Sequence, residues 1–150
     1  MKKDEALHLA FQTLSEIAII GQLANAALRA VLPETLSVAG FGVLNHFVRR
    51  EPDGESPAHL ARAFQVTKGA MTYTLQRLEE RNYIKITPDP ADGRAKIVRI
   101  TPAGRRARDT AATLVDPGMR ALIEHIDARD FAAALPFLVR LRQTMDSARD

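Results

Sequence analysis

The chain has 150 residues, no cysteine and a formal net charge of +3. At roughly one domain per 150 residues this is a single domain's worth of sequence. The lack of cysteine excludes a disulfide framework, thiol catalysis, thiol-based redox sensing and any cysteine zinc site. Charge is unevenly placed: residues 56–108 hold eleven Lys/Arg and four Asp/Glu, net +7, and the remainder holds ten and fourteen, net −4. A basic middle between acidic flanks suggests a polyanion-binding module held in a non-binding frame, and a solvated charged surface gives the same count.

Residues 4–32 read as one long helix stopped by Pro33. Leu7, Phe11, Leu14, Ala18 and Gly21 begin one heptad-spaced stripe that continues to Leu32, and Ala10, Ile17, Ile20, Ala24, Ala27 and Val31 form a second. A helix packed on one core needs one apolar stripe, so the pattern predicts self-association as well as internal packing. The longest apolar run, around residues 17–20, is far short of the ~18 residues of a membrane span. Acids follow directly on Lys2 and Lys3, unlike a signal peptide. The expectation is a cytoplasmic chain with no membrane partner.

Ser37 caps a second predicted helix over residues 38–50, with Val38, Phe41, Leu44, Phe47 and Val48 on its apolar face. Ser56-Pro57 is a hydroxyl cap followed by proline at the first helical position. It opens a short helix to Phe64 that buries Leu60, Ala61 and Phe64. After a tight turn at Gln65-Val66, Thr67 caps a helix reaching about Asn82, with Met71, Leu75 and Leu78 inward. Two alternating segments, YIKIT from Tyr83 and AKIVRIT from Ala95, flank the polar tip PDPADGR and predict a β-hairpin. Thr101-Pro102 starts a further helix, expected to break at Asp116-Pro117-Gly118 and resume through Ile126. Asp127 caps the last one, kinked at Pro136, with Phe131, Leu135, Leu138, Leu141 and Met145 on one face. The fold class is mainly α with a small β-hairpin wing (α+β): a winged helix-turn-helix between long terminal helices.

These elements carry a family resemblance. SPAHLARAFQVTKGAMTYTLQRLEERNYIKITPDPADGRAKIVRITPAGRR resembles the winged helix-turn-helix of the MarR family of bacterial transcription regulators, above all in DGRAKIVRITPAG, residues 92–104. The resemblance implies a non-enzymatic transcription regulator, a homodimeric repressor on a palindromic operator in double-stranded DNA, often released by a small-molecule effector. It divides the chain into an N-terminal dimerisation helix (1–33), the winged DNA-binding region (34–101) and C-terminal dimerisation helices (102–150), integrated as one domain.

Opposite the apolar face of the helix capped by Thr67 stand Lys68, Gly69, Thr72, Tyr73 and Gln76. A helix about 67–82 entering the major groove would aim them at bases and phosphates, with Thr67 and Gly69 offering backbone N–H groups at its N-terminus. Tyr73 stands where relatives often carry arginine, and Gln65 where many carry glycine. In a wing about 87–96, Arg94 matches the family's minor-groove arginine and Asp92 the acid that orients it, and Lys96 and Arg99 are expected at phosphates. Arg62 and Arg77 read equally as phosphate contacts or as partners of Glu79 and Glu80. The family's ligand pocket would be lined by Phe11, Ile17, Phe41, Asn45, His46 and Phe47.

Three other readings differ in what they require. Catalysis needs a nucleophile beside a base, and His8, His46, His59 and His125 are scattered singly with no HExxH or Walker-type pattern. A metal-responsive regulator of the same fold would have to gather His8, His46 and His125, with Glu16, Glu124 or Asp127. A winged-helix module for protein partners without DNA would not need the basic middle. No cofactor and no resident metal are expected.

Overall fold

The computed structural model describes residues 2–51 and 53–149. The elements run α1 (Lys3–Val31), α2 (Val38–Arg50), α3 (Pro57–Phe64), α4 (Lys68–Glu80), β1 (Ile84–Pro88), β2 (Lys96–Ile100), α5 (Pro102–His125) and α6 (Ala128–Ser147). Side-chain oxygens start the middle helices. Ser37 Oγ accepts from the Gly40 N–H at 3.0 Å, Ser56 Oγ from His59 at 3.1 Å and Thr67 Oγ1 from Ala70 at 3.1 Å. Each satisfies a donor that the first helical turn leaves without a partner. Gln65 ends α3 with φ 56°, so the α3–α4 turn takes the left-handed residue its length requires, here without glycine.

The chain divides into two units, Met1–Leu114 and Val115–Asp150. In the first, Val43, Leu44 and Phe47 of α2, Leu60 and Ala61 of α3, and Met71, Leu75 and Leu78 of α4 close on Ile84, Val98 and Ala111. Burying each large side chain among them contributes about 1.5–3 kcal/mol. The inner face of α2 is rotated slightly from the expected one. Val43 and Gly40 are buried, while Val38, Phe41 and Val48 are half-buried. Gly40 is there because α4 comes close: a Cβ at this position would stand 3.2 Å from Leu78 Cδ2.

The hairpin pairs Ile84 with Ile100, Ile86 with Val98 and Pro88 with Lys96. Its outer edge at β2 is occupied by Glu55, which exchanges both backbone hydrogen bonds with Val98, at 3.0 and 2.8 Å. The Glu55 carboxylate then reaches back into the helices. Its Oε1 accepts from His46 Nε2 at 2.8 Å, and its Oε2 lies 3.4 Å from His59 Nε2 without hydrogen-bond alignment. One residue therefore ties the hairpin to α2, with α3 alongside.

The start of α5 explains the Thr-x-x-Gly pattern. Thr101 donates its backbone N–H to the Tyr83 carbonyl at 3.0 Å and its hydroxyl to the Asn82 carbonyl at 2.6 Å, and it accepts from the Gly104 N–H at 3.0 Å. This brings the first turn of α5 onto the backbone entering β1. A Cβ on Gly104 would lie 2.0 Å from the Tyr83 carbonyl oxygen, so only glycine fits without movement.

Two expectations need correction. First, α5 is continuous through Asp116-Pro117-Gly118. Proline removes one backbone donor, while the apolar positions Val115, Met119, Leu122 and Ile126 stay in helical phase across it. α6 likewise runs unbroken through Pro136, capped by Asp127, whose carboxyl lies below its usual range because it accepts hydrogen bonds from the Arg129 side chain and backbone. Second, α1 as a whole is long and apolar enough to cross a membrane by length and composition. Counting consecutive apolar residues missed this because Thr13, Ser15, Gly21 and Gln22 interrupt the run without adding charge; between Glu5 and Arg29 only Glu16 is acidic.

α1 contains no buried residue. Among the described residues, the exposed large hydrophobics fall almost entirely on α1, α5 and α6, including Phe11 at 72%, Leu23 at 66% and Leu135 at 61% exposure.

Candidate nucleic-acid interface

A cleft of about 570 Å³ opens between the N-terminus of α3, the outer face of α4 and the hairpin. Lys68, Thr72 and Gln76 form its α4 wall, Arg94 and Lys96 its hairpin wall, and Ser56, Pro57 and Ala58 close one end. Five residues expected at DNA thus converge from two elements eighteen or more positions apart in sequence. The packing that achieves this is the core itself: Met71, Leu75 and Leu78 turn inward, which leaves Lys68, Thr72 and Gln76 exposed. Three cations, Lys68, Arg94 and Lys96, line the cleft against one anion, Glu79. The N-terminal end of α3 adds a dipole that favours negative charge.

The other five lie outside this cleft. Thr67 caps α4. Gly69 stands in open space, with no atom within 4 Å of where a Cβ would be. Tyr73, 66% exposed, lies on the opposite flank of α4, in a smaller cleft of about 160 Å³ shared with Arg77 and Arg81. Arg99 donates to Thr87 Oγ1 at 3.2 Å across the hairpin. Asp92, expected to orient the Arg94 side chain, contacts its main chain instead: the carboxylate accepts the Arg94 backbone N–H at 3.0 Å. Asp89 does the same for Ala91 at 2.9 Å, so the tip is built from two side-chain-to-backbone turns.

Three cleft features were not legible as site residues. Ser56 and Pro57 read as a helix start only. Glu79 read only as a partner for Arg62 or Arg77, and its Oε2 accepts the Ile86 N–H at 2.9 Å. Arg77 pairs with Glu80 at 3.6 Å, both well exposed.

Of the residues expected to line an effector pocket, Phe11 and Ile17 lie on α1 and Phe41, Asn45, His46 and Phe47 on α2. Phe47 is 1% exposed and belongs to the core, because α2 turns this edge toward α3 and α4. Phe11 points out from α1. Asn45 accepts two hydrogen bonds from Arg108, and His46 is held by Glu55 with its ring edge-on to Phe47 and Phe64. Phe41 is half-buried against the core and Ile17 is half-buried on α1. Among the described residues, no three histidines or acids stand close enough to hold a metal ion. His125 instead bonds the Ala121 carbonyl at 2.9 Å.

Comparison with known proteins bears on the cleft. The MarR family model matches residues 35–95, from the start of α2 to the hairpin tip. The transcriptional activatory protein BadR of Rhodopseudomonas palustris is 27% identical over 127 residues, covering 81% of this chain and 71% of BadR. A mutant MarR from E. coli complexed with operator DNA superposes with a TM-score of 0.68 at 26% identity, over 84% of this chain and 89% of that one. Over its winged region this chain resembles the MarR family. The fold is also that of the regulator BldR from Sulfolobus solfataricus, with a TM-score of 0.76 at 22% identity over 93% of this chain and 99% of BldR. These likenesses support a DNA-binding transcription regulator built on a winged helix-turn-helix.

Proposed function

We propose that the chain acts as a homodimer on an inverted-repeat operator, with α4 in the major groove and the hairpin in the adjacent minor groove. The observation that carries this is the shared cleft of Lys68, Thr72, Gln76, Arg94 and Lys96. A helix in one groove and a wing in the next must straddle the phosphate strand between them, and the cationic cleft lies where that strand would pass. Lys68 and Lys96 meet its phosphates, Gln76 reads a base edge and Arg94 enters the minor groove, where narrow A·T-rich sequence concentrates negative potential.

The dimer rests on a different observation. α1 carries exposed Leu7, Phe11, Ile20 and Leu23, and the second unit exposes Met119, Ile123, Leu135 and Met145. Apolar faces of this extent mark an interaction surface, and a second copy of the chain is the occupant that two-fold symmetry and a repeated half-site both require. Charge argues against a bilayer as the cover for α1, since Glu16 stands mid-helix. A dimer seated over a promoter would exclude polymerase, and repression is the sign proposed here; BadR, by its name, is an activator. The six residues expected around an effector are not assigned to a site.

Sedimentation with and without a duplex tests both halves. Free chain at micromolar concentration is expected at about twice 16.5 kDa, and duplex should shift it to a heavier complex. A monomer would contradict the dimer, and a dimer that ignores duplex would contradict the cleft's role.

A further inference from the structure

The cleft contains one group of the wrong sign for its proposed cargo. Glu79 lies on the last turn of α4, in the same wall as Lys68, Thr72 and Gln76, facing Arg94 and Lys96. Against a phosphate strand its charge is repulsive, so its presence there calls for another reason.

Its contact supplies one. Ile86 sits in β1 opposite Val98, and its N–H goes to Glu79 Oε2 at 2.9 Å. On the far side of the same rung, Val98 spends both its backbone groups on Glu55. One rung of the hairpin is therefore held from both outer edges: by Glu55, which His46 ties to α2, and by Glu79, which belongs to α4. The Ile86–Val98 rung lies one residue pair from Pro88–Lys96, the last pair before the tip that carries Arg94, counting only rungs of the same orientation. Ile84 and Val98 anchor the hairpin in the core with Leu75 and Leu78, and the Glu79 bond adds a polar link from α4 on the side of β1 away from β2. The bond to Glu79 is a direct link between the helix that would read the major groove and the strand leading to the arginine that would enter the minor groove.

We propose that Glu79 is a positioning residue that locks the wing to α4 and so sets the spacing between their two DNA contacts. It does so through the Ile86 N–H, not by touching DNA. The inference rests on the DNA-binding reading given above. It assigns to an acid in a basic cleft a gain larger than its repulsion: a wing held in register presents Arg94 without a further ordering cost on binding.

A double-mutant cycle on duplex binding tests this, with amide hydrogen exchange at Ile86 read in parallel on the free protein. Arg94→Ala in the wild-type background is expected to weaken binding about tenfold, the size typical of a groove-inserted arginine. Glu79→Ala is expected to weaken it several-fold and to speed exchange of the Ile86 amide. In that background Arg94→Ala should then cost less than about twofold, because the wing is no longer held in place and the two losses are not additive. Glu79→Gln keeps a carbonyl oxygen as acceptor and removes the charge, so it should protect Ile86 and bind duplex at least as well as wild type. If Glu79 acts by repulsion alone, Ala and Gln both tighten binding, and the proposal is overturned. Full additivity of Glu79→Ala and Arg94→Ala overturns it too. Wild-type protein that binds no duplex overturns the DNA-binding reading itself, a failure separable from the others because Ile86 would still be protected by Glu79.

Discussion

Replacing Lys68 and Lys96 together with glutamate lowers affinity for duplex DNA by on the order of a thousandfold at ~0.1 M salt. The two lysines face one another across the cleft, one from α4 and one from the hairpin. Each phosphate contact releases about 0.9 of a counterion, so at this salt concentration a single contact is worth roughly tenfold. The dimer loses four such contacts, two from each protomer, which by itself removes on the order of a thousandfold, and like charges set beside phosphates add to the loss. Fluorescence anisotropy of a labelled duplex across a salt series reads both quantities. Besides the loss of affinity, the slope of log affinity against log salt should flatten by about four for the dimer. Both side chains are exposed and outside the core, so the melting temperature should not move. A loss below tenfold with an unchanged slope would place the phosphate strand elsewhere.

The second large effect is on stability. Gly104→Ala is expected to cost about 3 kcal/mol, the upper end for forcing atoms into a packed site. The added methyl would meet the Tyr83 carbonyl oxygen at 2.0 Å and Ile100 Cγ1 at 2.9 Å. The first obstacle is backbone, which no rotamer change relieves. The same carbonyl accepts the Thr101 N–H, so retreat of α5 would also strain the cap that joins it to the hairpin. Urea unfolding of the variant should show a lower midpoint with an unchanged slope. Gly69→Ala is the matched control: with nothing within 4 Å and a helical backbone, it should not destabilise α4.

Much of this architecture could be read from local chemistry. Ser37, Ser56 and Thr67 announce helix starts because a hydroxyl cap acts within three residues, and all three caps form as expected. The inner face of α4 was legible because Met71, Leu75 and Leu78 are helically spaced and little else on α4 is apolar. What the sequence hid is non-local or coupled to the backbone. Glu79 and Ile86 are seven residues apart on different elements, and no periodicity links them. Glu55 sits in a stretch that reads as a plain loop, yet it forms the hairpin's outer bridge because its backbone happens to lie along β2. Pro117 misled because a proline signal is read without regard to whether the apolar spacing on each side stays in phase. Phe47 was expected at a ligand and went to the core, since α2 can turn either of two apolar edges inward and packing against α3 and α4 selects one.

The central claim is that one cleft straddles a DNA strand and that two copies of it read one operator. Selection of bound sequences from a random duplex pool, followed by footprinting of the enriched site, tests it most directly. The account predicts an inverted repeat with half-sites centred about one helical turn, ~10 bp, apart, and A·T-rich sequence where Arg94 would enter the minor groove. Failure to enrich any sequence, or an asymmetric site protected on one side only, would contradict it.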